Sequence, residues 1–262
     1  MNYFVVVMLC IGFLLKSGTS VREKCQHSPC VFADENNQAK KEIPVLCYHN
    51  IRSLKKGNSP DYTIDAEKFH AHLKMLYDSG YTAILPDQLY EYLTIGKELP
   101  SKSVMITFDD SHEDHFTTAA PILERVGYRG VFFVMTVPIG KPSYLTSKQI
   151  KQLSDSGHVI AAHTWDHPNL RNLKEKEWDQ QISQPMRQLE KITGKPVKYL
   201  AYPYGAWNDK AIMELRKHGI KAAFQLSEKK SEKEPLYTIR RLMVSGNWSP
   251  ATLNKNIKAF FE

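Results

Sequence analysis

From Ile43 onward the chain alternates two patterns. Short, continuously apolar runs rich in β-branched and aromatic residues are followed by polar loops and then by stretches with apolar residues at helical spacing. The apolar runs are 43–49 (IPVLCYH), 81–85 (YTAIL), 103–108 (SVMITF), 130–135 (GVFFVM), 158–163 (HVIAAH), 198–202 (KYLAY), 221–226 (KAAFQL) and 238–245 (TIRRLMVS). The helical stretches are 66–80, 86–96, 116–127, 146–157, 176–194 and 208–219. Each of these six ends in Gly, the residue that accepts a left-handed C-terminal cap, and Thr146 and Asn208 read as N-caps. Runs that are apolar without alternation are buried on both faces, which predicts a mostly parallel sheet covered by helices. Seven or eight strands in this length predict an α/β fold, a single distorted (β/α) barrel, over an open sheet.

The first forty residues break this pattern. Tyr3–Leu15 is an apolar run of 13 residues, followed by Lys16 and the small residues Ser17, Gly18, Thr19 and Ser20. It is short for a membrane span and fits the core of a secretory signal, although no basic residue precedes it. The expected organisation is a signal peptide or N-terminal anchor over 1–20, a polar linker over 21–42 and one domain over 43–262. The expected location is outside the cytoplasm, secreted or held at a membrane or cell wall. Cys25 and Cys30 flank a short loop and are able to pair in an oxidising compartment, while Cys47 stands in an apolar run and reads as a buried thiol.

Composition excludes little more. Apolar residues make up 42% and charged residues 24%, which rules out a disordered, collagen-like or disulfide-dense chain. The net charge of +7 suits an anionic cell surface or plain solubility, and no nucleic-acid-binding motif accompanies it.

Candidate chemistry gathers where the predicted strands end, which is where a β/α barrel carries its active site. Four clusters stand there: Tyr48-His49-Asn50, Thr107-Phe108-Asp109-Asp110, His163-Thr164-Trp165-Asp166-His167 and Tyr202-Pro203-Tyr204-Gly205. His163 and His167 are four apart, which in a helical turn sets both imidazoles on one side. Two histidines and a carboxylate make a common catalytic zinc set with positions left open. Of two adjacent carboxylates, one can ligate the ion while the other takes a proton from water. His112 and His115 offer an alternative metal set with Asp110, but in a loop running into a helix they read first as solvated or as supports behind the metal ligands. Arg240 and Arg241, a basic pair on the last strand, are able to reach the base or the substrate but read first as solvated. Trp165, Tyr202, Tyr204 and Trp207 suit either sugar stacking or core packing.

The motifs TFDD, HTWDH and YPYG, in this order, resemble those of the polysaccharide deacetylase family (NodB-homology, carbohydrate esterase family four), over roughly Ile43–Ser245. The resemblance implies a distorted barrel and hydrolytic deacetylation with Zn2+ or another divalent transition metal. It assigns Asp110, His163 and His167 as metal ligands, Asp109 as catalytic base, and Tyr202, Pro203 and Tyr204 as the segment that meets substrate and oxyanion. Three positions depart from the family pattern. Ser111 replaces a Gly, Ala201 replaces the Arg that orients the base, and the last strand lacks the His that serves as acid. His49, ending the first strand, stands in for that His as in the permuted deacetylases of poly-β-1,6-N-acetylglucosamine. The resemblance thus implies a biofilm N-acetylglucosamine polymer as substrate, with chitin oligomers, peptidoglycan or acetyl-xylan as alternatives and a non-catalytic sugar-binding protein as a remote one. No Gly-x-Ser-x-Gly elbow suggests a serine esterase instead.

Overall fold

The computed structural model describes residues 41–54 and 59–261. The expected leader, most of the linker and the Cys25–Cys30 pair lie outside the described residues. Strands and helices follow one another as β1 (Val45–Tyr48), β2 (Asn50–Ile51), β3 (Thr63–Ile64), α1 (Ala66–Asp78), β4 (Thr82–Ala83), α2 (Pro86–Ile95), β5 (Ser103–Phe108), α3 (Ala120–Arg125), β6 (Val131–Val134), α4 (Ser147–Asp155), β7 (Val159–Ala162), α5 (Gln184–Thr193), β8 (Tyr199–Ala201), α6 (Asp209–Lys217), β9 (Ala222–Phe224), β10 (Leu242–Met243) and α7 (Pro250–Phe261). No described helix is long and apolar enough to cross a membrane.

Eight strands form one sheet in the order β10-β1-β5-β6-β7-β8-β9, with β4 pairing the start of β5, and every pairing is parallel. The sheet curls into a distorted barrel. The segment Ile239–Met243 joins its two ends. Ile239 exchanges backbone hydrogen bonds with Ala223 and Gln225 beside β9, and Leu242 and Met243 then pair with β1. The expected (β/α) barrel is therefore what forms, with its last strand divided between two neighbours.

Side chains along these strands separate with period two. Val45, Met105, Val131, Phe133, Ala161, Tyr199, Ala201, Ala222, Phe224 and Ile239 form the layer inside the barrel. Leu46, Tyr48, Ile106, Phe108, Phe132, Val134, Ile160, Ala162, Leu200 and Ala223 form the outer layer against the helices. In that outer layer Phe108 stacks on Phe132 with centroids 4.9 Å apart, and Tyr48 meets Phe69 of α1 edge-on at 5.0 Å.

Two predicted helices are not continuous α-helices. Each contains a proline, Pro121 or Pro185, which lacks an N–H and crowds the carbonyl four residues back. The chain opens into a π-turn just before each, at His115–Ala119 and Asp179–Ser183. Helix α7, with Leu253, Ile257 and Phe261 buried at fourfold spacing, was not among the predicted elements, nor was the short β2–β3 pair.

Gly246 holds the turn after β10 against β3. A Cβ there would overlap the Thr63 carbonyl oxygen, and the Gly246 N–H already donates to Pro60 O at 2.6 Å. Gly246→Ala is expected to destabilise the protein by about 2 kcal/mol, lowering Tm by about 4–8 °C. An unchanged melting curve would show that the two loops separate freely.

Candidate active site

The inner rows of the barrel lead directly to the polar clusters. Val45 and Cys47 precede His49, Met105 and Thr107 precede Asp109, Ala161 precedes His163, and Ile239 precedes Arg241. Each site residue stands one inward position beyond a packed side chain. His49, Tyr62, Asp109, Asp110, His163, His167, Tyr202, Tyr204, Gly205, Leu226, Arg241 and Met243 line one cavity of about 210 Å³. The sequence-predicted site residues His49, Asp109, Asp110, His163, His167, Tyr202 and Tyr204 are thus brought together; Pro203 is buried between the two tyrosines in the chain.

Backbone conformation aims them. Among the described residues six non-glycine residues have positive φ, and five stand in or directly beside these motifs: Asp110 (75°), Ser111 (63°), Thr164 (68°), His167 (68°) and Tyr204 (60°). Such conformations persist only where surroundings over-determine them. Ser111, the departure from Gly, is pinned by its hydroxyl. Oγ accepts from Met135 N–H at 2.7 Å and donates to Met135 O at 3.1 Å. The His163–His167 segment is a bend rather than the expected helical turn, and Thr164 Oγ1 accepts from His167 N–H at 3.0 Å. Left-handed residues, not helical periodicity, bring the two imidazoles to 4.8 Å between centroids.

Asp110 and the two histidines converge. His163 Nε2 lies 3.5 Å and His167 Nε2 3.6 Å from Asp110 Oδ1. Donor atoms at about 2.1 Å from one tetrahedral ion stand about 3.4 Å apart, so these residues fit a divalent transition metal. His163 Nδ1 donates to Ala201 O at 2.8 Å, which leaves Nε2 with its lone pair toward that point. Burial lowers the His167 pKa, and nearby His163 lowers it further, to about 4, so the imidazole is neutral and able to ligate.

Asp109 faces the other way. Its carboxylate takes a bidentate pair of bonds from Arg241, Nη1 to Oδ1 and Nη2 to Oδ2, both 2.7 Å. Arg241 is 1% exposed, which overturns the expectation that it is solvated. Its Nε donates to Gln225 O at 3.0 Å, Nη1 also reaches Thr107 Oγ1 at 3.3 Å, and its guanidinium lies 5.2 Å from the Phe133 ring centroid. Cys47 is the expected buried thiol, and its Sγ donates to Asp109 Oδ2 at 3.6 Å. Burial raises the Asp109 pKa, but Arg241, His163 and His49 together outweigh it and the group falls to about 2, which keeps the carboxylate ionised. A guanidinium from the last strand thus orients the Asp109 carboxylate, a contact that Ala201 cannot supply. Its inward register, two residues after Ile239, was the signal available in the sequence. Arg240, the other member of the pair, is partly buried and ion-paired to Glu42.

His49 sits across the cavity, edge-on to Tyr62 at 5.0 Å, with Nδ1 buried and unpaired among the described residues. His115 is buried rather than solvated, and His112 stacks on Tyr144 at 5.5 Å. Among the described residues neither joins Asp110 in a metal-ligand group. Asp166 accepts from Gln181 at 2.9 Å and has only a structural bond. Tyr202 is fully buried, whereas Tyr204 is 66% exposed at the rim, 4.5 Å from His167 between ring centroids. Trp207 packs partly buried against the core.

A family model described as polysaccharide deacetylase matches residues 96–223, the stretch that carries Asp109, Asp110, His163, His167 and Tyr204. The chain is 27% identical over 219 residues to YxkH of Bacillus subtilis (strain 168), provisionally named a polysaccharide deacetylase, covering 83% of this chain and 77% of that protein. It is 25% identical over 272 residues to a poly-beta-1,6-N-acetyl-D-glucosamine N-deacetylase of Staphylococcus aureus (strain MSSA476), covering 92% of each. Among solved structures, the Streptococcus pyogenes deacetylase PplD superposes with a TM-score of 0.76 at 26% identity, over 84% of this chain and 98% of that one. The chain thus carries a polysaccharide deacetylase domain, and that domain together with these relatives indicates a hydrolytic deacetylase.

Proposed function

We propose that the enzyme removes N-acetyl groups from an N-acetylglucosamine polymer, poly-β-1,6-N-acetylglucosamine in the first instance, with a divalent transition metal held by Asp110, His163 and His167. The observation that carries this reading is the meeting of His49, from the first strand, with the Asp pair and the two histidines in one cavity. The staphylococcal relatives named for that polymer support the substrate, and the spacing of the three ligand atoms supports the metal. An ion there would act as a Lewis acid toward the acetyl carbonyl and acidify a water beside it. Asp109, held ionised by Arg241, receives the proton of the attacking water. His49, lining the same cavity, is assigned to protonate the amine, a leaving group that departs poorly without a proton. The Tyr204 backbone N–H, turned by its left-handed conformation, is assigned to the developing oxyanion, a contact of this kind being worth about 3 kcal/mol. Export through the 1–20 leader, and action at the cell surface, complete the proposal.

The test is acetate release from poly-β-1,6-N-acetylglucosamine and from chitin oligomers by wild type and His49→Ala. Release from the β-1,6 polymer, reduced about 100-fold or more in His49→Ala, is the expected result. Release from chitin alone would overturn the substrate, and an unimpaired His49→Ala enzyme would overturn the acid.

A further inference from the structure

The residues after the Asp pair, Ser111–His115, grip the residues after β1. His115 opens the π-turn at His115–Ala119 and is 1% exposed, its ring 5.4 Å from that of Phe108 and 5.8 Å from that of Phe132. Its Nε2 lies 2.6 Å from His49 O. A carbonyl only accepts, so Nε2 carries the proton and donates. One residue earlier, the Asp114 carboxylate accepts from Ile51 N–H and stands 3.7 Å from the Arg52 guanidinium. On the opposite side Asn50 N–H donates to Tyr62 O at 2.9 Å, and the Tyr62 ring meets the His49 imidazole. The His49 peptide is thus fixed by a buried donor below and by β3 and its approach above. Its side chain, by contrast, has a buried Nδ1 with no hydrogen-bond partner among the described residues. Beyond the edge-on contact with Tyr62, the aim of the imidazole depends on the peptide unit that carries it.

We propose that His115 is a positioning residue for His49, donating through Nε2 to the His49 carbonyl so that the imidazole points into the cavity. The inference rests on the reading of His49 as the acid. It also explains a histidine that the metal site does not use. The same turn carries Asp110 at one end and His115 at the other, so a single segment sets both the metal ligand and the placement of the acid.

Misplacing an acid by about 1 Å is worth about 100-fold in rate, and only where the leaving group needs a proton. The experiment therefore compares two substrates: the N-acetylated polymer from which wild type releases acetate, and 4-nitrophenyl acetate, whose phenolate leaves unprotonated. His115→Leu removes the donor while retaining apolar bulk. His115→Gln places an amide N–H near the position of Nε2. His115→Leu is expected to lose about 30–100-fold in kcat on the polymer and less than about 3-fold on the aryl ester, with His115→Gln recovering most of the loss. His49→Ala should show the same split, and adding His115→Leu to His49→Ala should cost nothing more on the polymer. Equal losses on both substrates in His115→Leu, or no loss on either, overturn the positioning role. If His49→Ala itself shows no split, it is the acid assignment that fails.

Discussion

Arg241→Met is expected to lower acetate release at least about 100-fold and to destabilise the fold by about 3–5 kcal/mol. Both effects follow from one contact. Arg241 and Asp109 are almost completely buried and share two bonds of 2.7 Å, with Gln225 O and Thr107 Oγ1 taking further guanidinium donors. Removing the guanidinium strands a carboxylate that is 3% exposed beside Cys47 and His163. Burial would then drive its pKa up, as it does for any carboxyl without a partner, and a protonated Asp109 is no base. Arg241→Lys keeps the charge but not the planar fork, so it should retain more stability than activity. The decisive variant is the double one. Arg241→Met with Asp109→Asn removes both charges and is expected to regain most of the lost stability, measured by denaturant unfolding, while acetate release stays at background. If the double variant is as unstable as the single one, the loss comes from packing of the arginine and not from a stranded charge.

The barrel was legible because continuous apolar runs and glycine-ended helices carry their own physics. The runs at 103–108 and 158–163 became β5 and β7, and Gly96 and Gly194 cap α2 and α5 in the left-handed conformation. The motif residues were legible by type and position. What the pattern did not convey was direction. Arg241 read as solvated because two adjacent arginines resemble a wet edge, whereas period two along Ile239–Arg241–Met243 sends one arginine inward while Arg240 pairs with Glu42. For His115 the sequence left two readings open, solvated or supporting. A histidine in a polar run is usually exposed, and only the π-turn before Pro121 rotates this one under β1. The fourfold spacing of His163 and His167 pointed to the right pair through the wrong geometry, since left-handed residues at both Thr164 and His167 replace the helical turn.

Removing the metal is expected to lower acetate release by at least about 1,000-fold, with recovery on adding about one equivalent of Zn2+ or Co2+. The two carboxylates should separate cleanly in such an experiment. Asp110 turns to His163 and His167, so Asp110→Asn and His163→Ala should lose metal as well as activity, read from the visible absorption of bound Co2+. Both oxygens of Asp109 are occupied by Arg241, so Asp109→Asn should bind the ion nearly as wild type does and still release no acetate. Loading also has a thermal signature. An ion that binds the folded chain at about 100 times its dissociation constant adds about 2.7 kcal/mol, which for a domain of this size raises Tm by about 5–10 °C. Asp110→Asn should abolish that rise and Asp109→Asn should keep it. If Asp109→Asn lost the ion instead, the base and the ligand would have to exchange roles. If no variant changed metal content, the cluster of Asp110, His163 and His167 would not be the metal site.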